Sequence, residues 1–187
     1  MKTIIEERET IYIVNKSKFI GIIKKVFNEE EINTILTTYQ KKYSDATHIC
    51  YAYILENKEK YSDDKEPSKT AGFPILEVLK KNNLCYTLAI VIRYFGGIKL
   101  GSNGLIRSYS NTISQILNHN TKDIEEGYII EINEDYKKID TINYLLKEAI
   151  IIQKDFNEKI YIRAKVTKKM LEQLSNIQYT IIQTILL

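Results

Sequence analysis

Glycines and basic side chains are concentrated in one segment of this chain, residues 93–107. Four of its seven glycines lie there within nine residues: Gly96, Gly97, Gly101 and Gly104. A β-branched apolar run, residues 84–92, precedes the segment and an amphipathic run, residues 105–118, follows it, which predicts a strand, a glycine-rich loop and a helix start in succession. A helix start presents unpaired backbone N–H groups and the positive end of the helix dipole, and glycine allows a ligand to approach the backbone closely. The segment therefore predicts a binding site for an anion.

The charge distribution around this segment also favours an anionic partner. No Asp or Glu occurs from Val78 through Lys122, whereas six basic residues do: Lys80, Lys81, Arg93, Lys99, Arg107 and Lys122. Arginine supplies forked donors to phosphate and lysine supplies a point charge, while an aromatic face beside them can stack on an unpaired base. The predicted nucleic-acid- or anion-binding residues are Arg93, Tyr94, Gly96, Gly97, Lys99, Gly101, Ser102, Gly104 and Arg107.

A structural turn is the alternative interpretation of the same segment. In that case the glycines permit close strand–helix packing, and Arg93 forms an ion pair with Asp63 or Asp64. Ser102 or Asn103 would then cap the helix. The spacing matches neither a P-loop, because no Gly-Lys-Ser/Thr follows, nor the G-x-G-x-x-G fingerprint. The sequence leaves the anion site and the structural turn open as equal alternatives.

A polar stretch, residues 56–72, carries acidic side chains and is predicted to be a long loop. We expect the rim of a groove to be formed by this loop and by a histidine of the preceding strand, at His48, Asp63, Asp64, Glu66, Ser68 and Thr70. A further hypothesis is that the acids fold over the basic segment as an internal counter-charge, with Asp64 opposite Arg93. The acids lack the spaced ligands and the glycine of a calcium loop, so no metal site is predicted.

His48 and Cys50 lie two residues apart on a predicted strand and therefore share a face. A metal site needs more ligands than these two, and a cysteine–histidine nucleophile pair is a further alternative. We expect His48 to be a groove residue without a catalytic role, and Cys50 and Cys85 to be buried free thiols in a reducing compartment. No catalytic residues, metal or cofactor are predicted.

The composition bounds the class of protein. With 44% hydrophobic and 27% charged residues the chain is typical of a soluble globular protein, and a net charge of +3 is too small to indicate nucleic-acid binding by itself. The N-terminal residues lack the apolar stretch of a signal peptide, and no apolar run approaches the roughly 18 residues of a membrane span. We expect a cytoplasmic protein without a membrane partner, and the oligomeric state stays open.

Hydrophobic periodicity predicts an α+β protein of two domains. The first, residues 1–126, contains a hairpin, a helix over 29–43, a strand over 48–55 and a short helix over 75–81, followed by the strand, glycine loop and helix described above. The second, residues 127–187, shows the order strand, helix, strand, strand, helix, strand. This order is that of the ferredoxin-like βαββαβ unit.

Three motifs of the chain resemble those of the IMPACT/YigZ family and occur in the family's order: DATHIC at residues 45–50, SDDKEPSKTAG at 62–72 and RYFGGIKLG at 93–101. The similarity covers most of residues 17–118, and the glycine-containing motif is specific. The C-terminal part also resembles the small ferredoxin-like domain of the family. Two departures occur, since Lys65 and Lys69 occupy positions at which the family commonly has glycine.

The resemblance implies that the first domain has the α/β fold of the second domain of a small-subunit ribosomal protein, which recurs in translation factors and in small-molecule kinases. Eukaryotic members regulate translation under stress through protein partners, and a nucleic-acid or ribosomal role is proposed for bacterial members. The predicted function is a non-enzymatic, translation-associated regulatory factor that binds RNA or the ribosome through the basic glycine-rich loop. Two alternatives stay open, a protein–protein interaction module in the stress regulation of translation and a phosphate-ester enzyme of the kinase-like fold.

Overall fold

Two units make up the chain, and the computed structural model describes residues 1–186 of it. The first unit extends from Met1 to Asp123 and the second begins at Ile124. The sequence places the boundary three residues later, after residue 126. The first unit ends earlier because residues 121–123 pair with residues 2–4, whereas residues 124–126 take no part in that pairing.

The first unit contains a five-stranded antiparallel sheet and three helices. Its strands are β1 (Lys2–Ile4), β2 (Arg8–Val14), β3 (Ser17–Lys25), β4 (His48–Leu55), β5 (Lys58–Ser62), β6 (Thr87–Tyr94) and β7 (Thr121–Asp123). Its helices are α1 (Glu29–Lys42), α2 (Gly72–Lys81) and α3 (Gly101–Leu117). The strand order is β2-β3-β6-β4-β5, and β1 pairs with β7 in a separate two-stranded ribbon.

Both faces of the central strand β6 are buried, which explains its continuous apolar sequence. Ala89 and Val91 pack on the side of α2 and α3. Leu88, Ile90 and Ile92 pack on the opposite side, against residues of α1. The glycine-rich loop therefore leaves the end of a strand that is held on both faces.

Several elements of the first unit differ from the sequence-based expectation. Strands β1 and β7 were not predicted, and α2 begins at Gly72 rather than at residue 75. Residues 58–62, predicted as part of a loop, form strand β5 at the edge of the sheet. This strand is polar because an edge strand is held by backbone pairing with one neighbour, so its sequence carries no apolar alternation. Helix α3 begins at Gly101 rather than at residue 105, which places Ser102 and Asn103 inside its first turn.

The second unit contains a four-stranded antiparallel sheet with the order β11-β8-β10-β9. Its elements are β8 (Glu126–Glu134), α4 (Ile139–Leu145), β9 (Ile150–Phe156), β10 (Ile160–Thr167), α5 (Lys168–Gln173) and β11 (Tyr179–Leu186), with a short 3₁₀ turn at Tyr136–Lys138. Alternate residues of β8 and β10, such as Ile130 and Ile162, form one buried face and pack with Ile142 and Leu174 of the helical segments. The succession of strands and helices is the one that the periodicity predicts.

Among residues 1–186, none of the helices has the length and apolar character needed to cross a membrane.

Candidate functional site

A row of side chains crosses one end of the five-stranded sheet, on the face that α2 and α3 cover. The strand register places Arg93 of β6 directly between Phe19 of β3 and His48 of β4. The Arg93 guanidinium carbon lies 5.5 Å from the centre of the Phe19 ring and 5.6 Å from that of Phe95. Cys50 lies on the same face as His48, as the spacing predicts, and is fully buried. The row brings a cation, an imidazole and aromatic rings together at the strand end from which the glycine-rich loop leaves.

Glu66 is the ion-pair partner of Arg93, in place of the Asp63 or Asp64 that the sequence suggested. Nη1 of Arg93 lies 2.5 Å from Oε1 of Glu66, and the two side chains are only 6% and 3% exposed. The Tyr109 hydroxyl, on α3, donates to the same carboxylate oxygen at 2.9 Å. The acidic loop does supply an internal counter-charge to the basic segment, but Glu66 provides it.

Asp63 and Asp64 are occupied by backbone amides, which explains why neither pairs with Arg93. Oδ1 of Asp63 accepts the N–H groups of Ala71 and Gly72 at 3.1 and 2.8 Å, at the start of α2. A carboxylate at a helix N-terminus satisfies unpaired donors and interacts favourably with the dipole. Oδ2 of Asp64 accepts the N–H of Ile49 in β4 at 2.6 Å. These two acids hold the loop against the sheet.

His48 has a defined hydrogen-bonding arrangement. Its Nδ1 lies 2.7 Å from the carbonyl oxygen of Asp64, and a carbonyl can only accept, so Nδ1 is the donor. Nε2 of the neutral ring is therefore left as an acceptor, 3.9 Å from Oε2 of Glu66. The neutral imidazole thus presents an acceptor toward the carboxylate of Glu66, and the protonated imidazole would present a donor there.

A cavity of about 470 Å³ lies between the end of β6 and the start of α3. Six of the residues predicted for the site line it: His48, Glu66, Arg93, Lys99, Gly101 and Ser102. The structure adds five lining residues that the sequence reasoning missed: Thr47, Pro67, Phe95, Leu100 and Leu105. Helix α3 starts at this cavity with Leu100 as its N-cap, and no side chain within the described part of the chain caps it. The first-turn amides therefore remain donors for a ligand.

The other predicted site residues lie outside this cavity. Thr70 is buried and its hydroxyl donates to the carbonyl of Pro67, and Ser68 is exposed on the same loop. Tyr94 packs on the α1 side of the sheet, where its hydroxyl donates to Asp45 at 2.9 Å. Desolvation and this bond raise the pKa of Tyr94. Arg107 is exposed on α3, two residues after Leu105, which lines the cavity.

Phe95, rather than Tyr94, is the aromatic residue that lines the cavity. Its side chain is 46% exposed, and it lies two residues after Arg93, on the same side of the chain. Because side chains two residues apart in extended backbone point to the same side, the position of Phe95 relative to Arg93 could have identified it from the sequence.

Three of the loop glycines have a geometric reason that is independent of any ligand. We call residues 95–104 the basic glycine loop. A Cβ atom at Gly96 would overlap the backbone of Lys16, in the turn between β2 and β3. Gly97 has φ of +85° and Gly101 of +68°, a region that side chains of L-residues disfavour. The structural explanation therefore accounts for these three glycines, whereas Lys99, with its side chain in solvent, remains available to a ligand.

The surroundings of Cys50 do not favour nucleophilic catalysis by its thiol, and the described side chains do not form a metal site. The Cys50 thiol donates to the carbonyl of Asp63 at 3.1 Å, and burial raises the pKa of Cys50 well above its ordinary value. Burial likewise raises the pKa of Tyr109, with a further contribution from the neighbouring acidic groups. A thiol kept protonated is a poor nucleophile. Residues 1–186 contain no group of three or more His, Cys, Asp or Glu side chains placed to hold a metal ion.

The two lysines that depart from the family pattern adopt a strained backbone conformation. Lys65 and Lys69 have φ of +67° and +60°, which costs an L-residue about 1–2 kcal/mol. We expect Lys65→Gly to raise the free energy of unfolding by about 0.5–1 kcal/mol, because relief of strain exceeds the extra entropy that glycine loses on folding. Urea denaturation measures the change. Lys60→Gly, in strand β5, is the control and should lower stability; a loss of stability in both variants would contradict the prediction.

Comparison with known proteins gives a consistent set of relatives. The family model described as the Impact N-terminal domain matches residues 15–117. IMPACT family member YvyE of Bacillus subtilis is 38% identical over 173 residues, which cover 89% of this chain and 80% of that protein. IMPACT family member YigZ of Escherichia coli is 32% identical over 120 residues, 62% of this chain and 56% of that protein. The Protein IMPACT homolog of Dictyostelium discoideum is 38% identical over 119 residues, which cover 59% of this chain but only 34% of that protein.

A solved structure shares the fold over nearly the whole chain. It is the crystal structure of a hypothetical protein, with a TM-score of 0.62 over 97% of both chains. The sequence identity is 24%. This similarity concerns the arrangement of the chain in space alone.

Proposed function

The chain belongs to the IMPACT family, as its three motifs predicted, and from this premise we propose that it is a non-enzymatic, translation-associated factor that binds the backbone of RNA, free or in the ribosome. The contact surface is the basic glycine loop together with Arg107. The observation that carries the proposal is the start of α3, which has no side-chain cap among the described residues and opens on the cavity that Lys99 lines. Phosphate is the ligand chemistry that such a helix start favours.

Of the three basic side chains that the sequence assigned to phosphate binding, Arg93, Lys99 and Arg107, only the last two carry a charge that is available to phosphate. Arg93 is buried and neutralised by Glu66, so it contributes shape and position to the site rather than net charge. Lys99 and Arg107 are exposed, and the segment from residue 78 to residue 122 contains no acid. These two side chains and the first-turn amides of α3 are the phosphate donors in this proposal.

The fold types and the cellular location belong to the same proposal. The sheet order β11-β8-β10-β9 and the strand–helix succession of the second unit support a ferredoxin-like fold for residues 127–187. Family membership supports the ribosomal-protein-like α/β fold for residues 1–126. Cys50 and Cys85 are buried free thiols, which is in keeping with a cytoplasmic protein.

A protein partner is the second candidate, favoured by one observation. Phe95 and Ile98 of the basic glycine loop are 46% and 45% exposed, and exposed apolar side chains are a feature of protein-binding surfaces. Such a partner would form a discrete complex with weak dependence on salt. RNA binding weakens steeply with salt because each neutralised phosphate releases counterions.

We expect the double variant Lys99→Ala/Arg107→Ala to bind single-stranded RNA about ten-fold more weakly than the wild type. Loss of two phosphate contacts should also reduce the slope of log affinity against log salt by roughly 1.4, at about 0.7 for each contact to a single strand. Fluorescence anisotropy with labelled mixed-sequence RNA over a salt series measures both quantities.

The matched control is Lys41→Ala/Lys60→Ala, which removes the same charge from exposed positions on α1 and β5. It should retain the wild-type slope. Equal weakening by the two double variants would mean that net charge alone drives binding, and absence of binding by the wild type would overturn the proposed function. Arg93 is left intact in this test because its removal would unpair the buried Glu66.

A further inference from the structure

The cavity beside the basic glycine loop is lined by two kinds of side chain. Pro67, Phe95, Leu100 and Leu105 are apolar. His48, Glu66, Arg93, Lys99 and Ser102 are polar or charged. A volume of about 470 Å³ falls within the range of small-ligand pockets, about 300–1,000 Å³. Its size and its mixed lining suit a ligand with a flat apolar part and an anionic part.

An unpaired donor is buried at this cavity. Nε of Arg93 has no hydrogen-bond partner among the described residues, although the side chain is only 6% exposed. Nη1 of the same guanidinium is engaged by Glu66. Buried donors in native proteins are normally paired. A second observation, the first turn of α3 that the described side chains leave uncapped, is independent of the first and adds backbone donors at the same place.

Acceptors lie next to these donors. In the neutral imidazole, Nε2 of His48 is an acceptor, because the proton of that ring lies on Nδ1, which donates to the carbonyl of Asp64. Oε2 of Glu66 lies near it, while Oε1 is the oxygen that receives Arg93 and Tyr109. Two acceptors side by side select a ligand that presents an N–H donor. The exocyclic amino groups of adenine and cytosine are such donors, whereas uracil has a carbonyl oxygen at the corresponding position.

We propose that this cavity holds one unstacked nucleotide of the bound RNA and selects an amino-bearing base. The base lies against Phe95 and donates its amino group to the acceptors on His48 and Glu66. The phosphate of the same nucleotide lies at the start of α3 beside Lys99. This inference rests on the proposed function and adds to it the class of nucleotide that the site recognises.

Base preference is the first test. Anisotropy titrations with short homopolymers of adenylate, cytidylate and uridylate, at one salt concentration, should give tighter binding for the first two. Phe95→Ala should weaken binding of the adenylate oligomer about ten-fold, the lower part of the effect seen when a stacking aromatic is removed. Phe95→Tyr keeps the ring and should retain the affinity. Neither variant should alter the salt slope, since no phosphate contact is removed.

Phe27→Ala is the matched control for the loss of an aromatic ring. Phe27 is 52% exposed and carries Lys25 over its ring at 5.5 Å, but it follows β3 at the opposite end from the Phe19–Arg93 pair. It should leave RNA binding unchanged. Urea denaturation of the Phe95 variants confirms that the first unit is folded.

The outcomes separate this inference from the proposed function. Salt-dependent binding with equal affinity for all three homopolymers, unaffected by Phe95→Ala, would overturn the nucleotide pocket and leave RNA-backbone binding intact. No RNA binding at any salt concentration would overturn both. Tighter binding of adenylate or cytidylate that Phe95→Ala abolishes and Phe95→Tyr preserves is the result expected.

Discussion

Replacement of Glu66 by glutamine is expected to lower the free energy of unfolding of the first unit by about 3–5 kcal/mol. The Glu66 carboxylate is 3% exposed, pairs with Nη1 of Arg93 at 2.5 Å and accepts the Tyr109 hydroxyl at 2.9 Å. Glutamine has nearly the same size and can still accept one hydrogen bond. It removes the negative charge, however, and leaves the guanidinium of Arg93 buried without compensation.

The measurement is urea denaturation of the Glu66→Gln protein beside two companions. Glu59→Gln removes the acid from an ion pair of similar length, 2.7 Å to Lys80, whose side chains are 46% and 45% exposed. Its midpoint should equal that of the wild type, because exposed pairs contribute little. The double variant Glu66→Gln/Arg93→Met removes both charges and should be more stable than Glu66→Gln alone, since a well-packed apolar residue replaces an unpaired ion. Equal midpoints for Glu66→Gln and Glu59→Gln would contradict the role assigned to the buried pair.

Gly96→Ala is expected to lower the free energy of unfolding by about 2–3 kcal/mol. The added methyl group would overlap the backbone of Lys16, and a backbone cannot rotate away as a side chain can. The Gly96 N–H also donates to the Ser17 hydroxyl at 3.2 Å. Relief of the overlap therefore separates the loop from the hairpin turn on which it rests.

Gly97→Ala provides the comparison, because the two neighbouring glycines are constrained for different reasons. A Cβ atom at Gly97 meets no described atom within 4 Å, but the residue has φ of +85°. Its cost should be limited to about 1–2 kcal/mol of backbone strain. Thermal or urea unfolding orders the two variants, and a larger loss for Gly97→Ala would show that close approach to Lys16 is not the controlling constraint. If the basic glycine loop is the RNA-binding surface, Gly96→Ala should also weaken RNA binding.

The sequence predicts the fold well wherever local periodicity reflects burial. Strand β6 was predicted from its apolar run, and helices α1 and α3 from their helical spacing of apolar residues. Both patterns arise from the side chains that face a core, and both can be seen directly in the sequence. The polar strand β5 was missed because backbone pairing at an edge requires no apolar side chain. The early start of α3 was missed because glycine and serine are weak signals for a helix interior.

The sequence by itself determined the location of the candidate site, since glycines, basic residues and a helix start coincide at residues 93–107. It could not determine which acid meets Arg93, because Asp63, Asp64 and Glu66 lie within four positions and carry equal charge. The tertiary structure decided this when the start of α2 engaged Asp63 and the N–H of Ile49 engaged Asp64. Of the three acids, Glu66 is the one that pairs with Arg93. The sequence could not show this, because ion pairing depends on distances between residues far apart in sequence, and these distances are set only when the chain has folded.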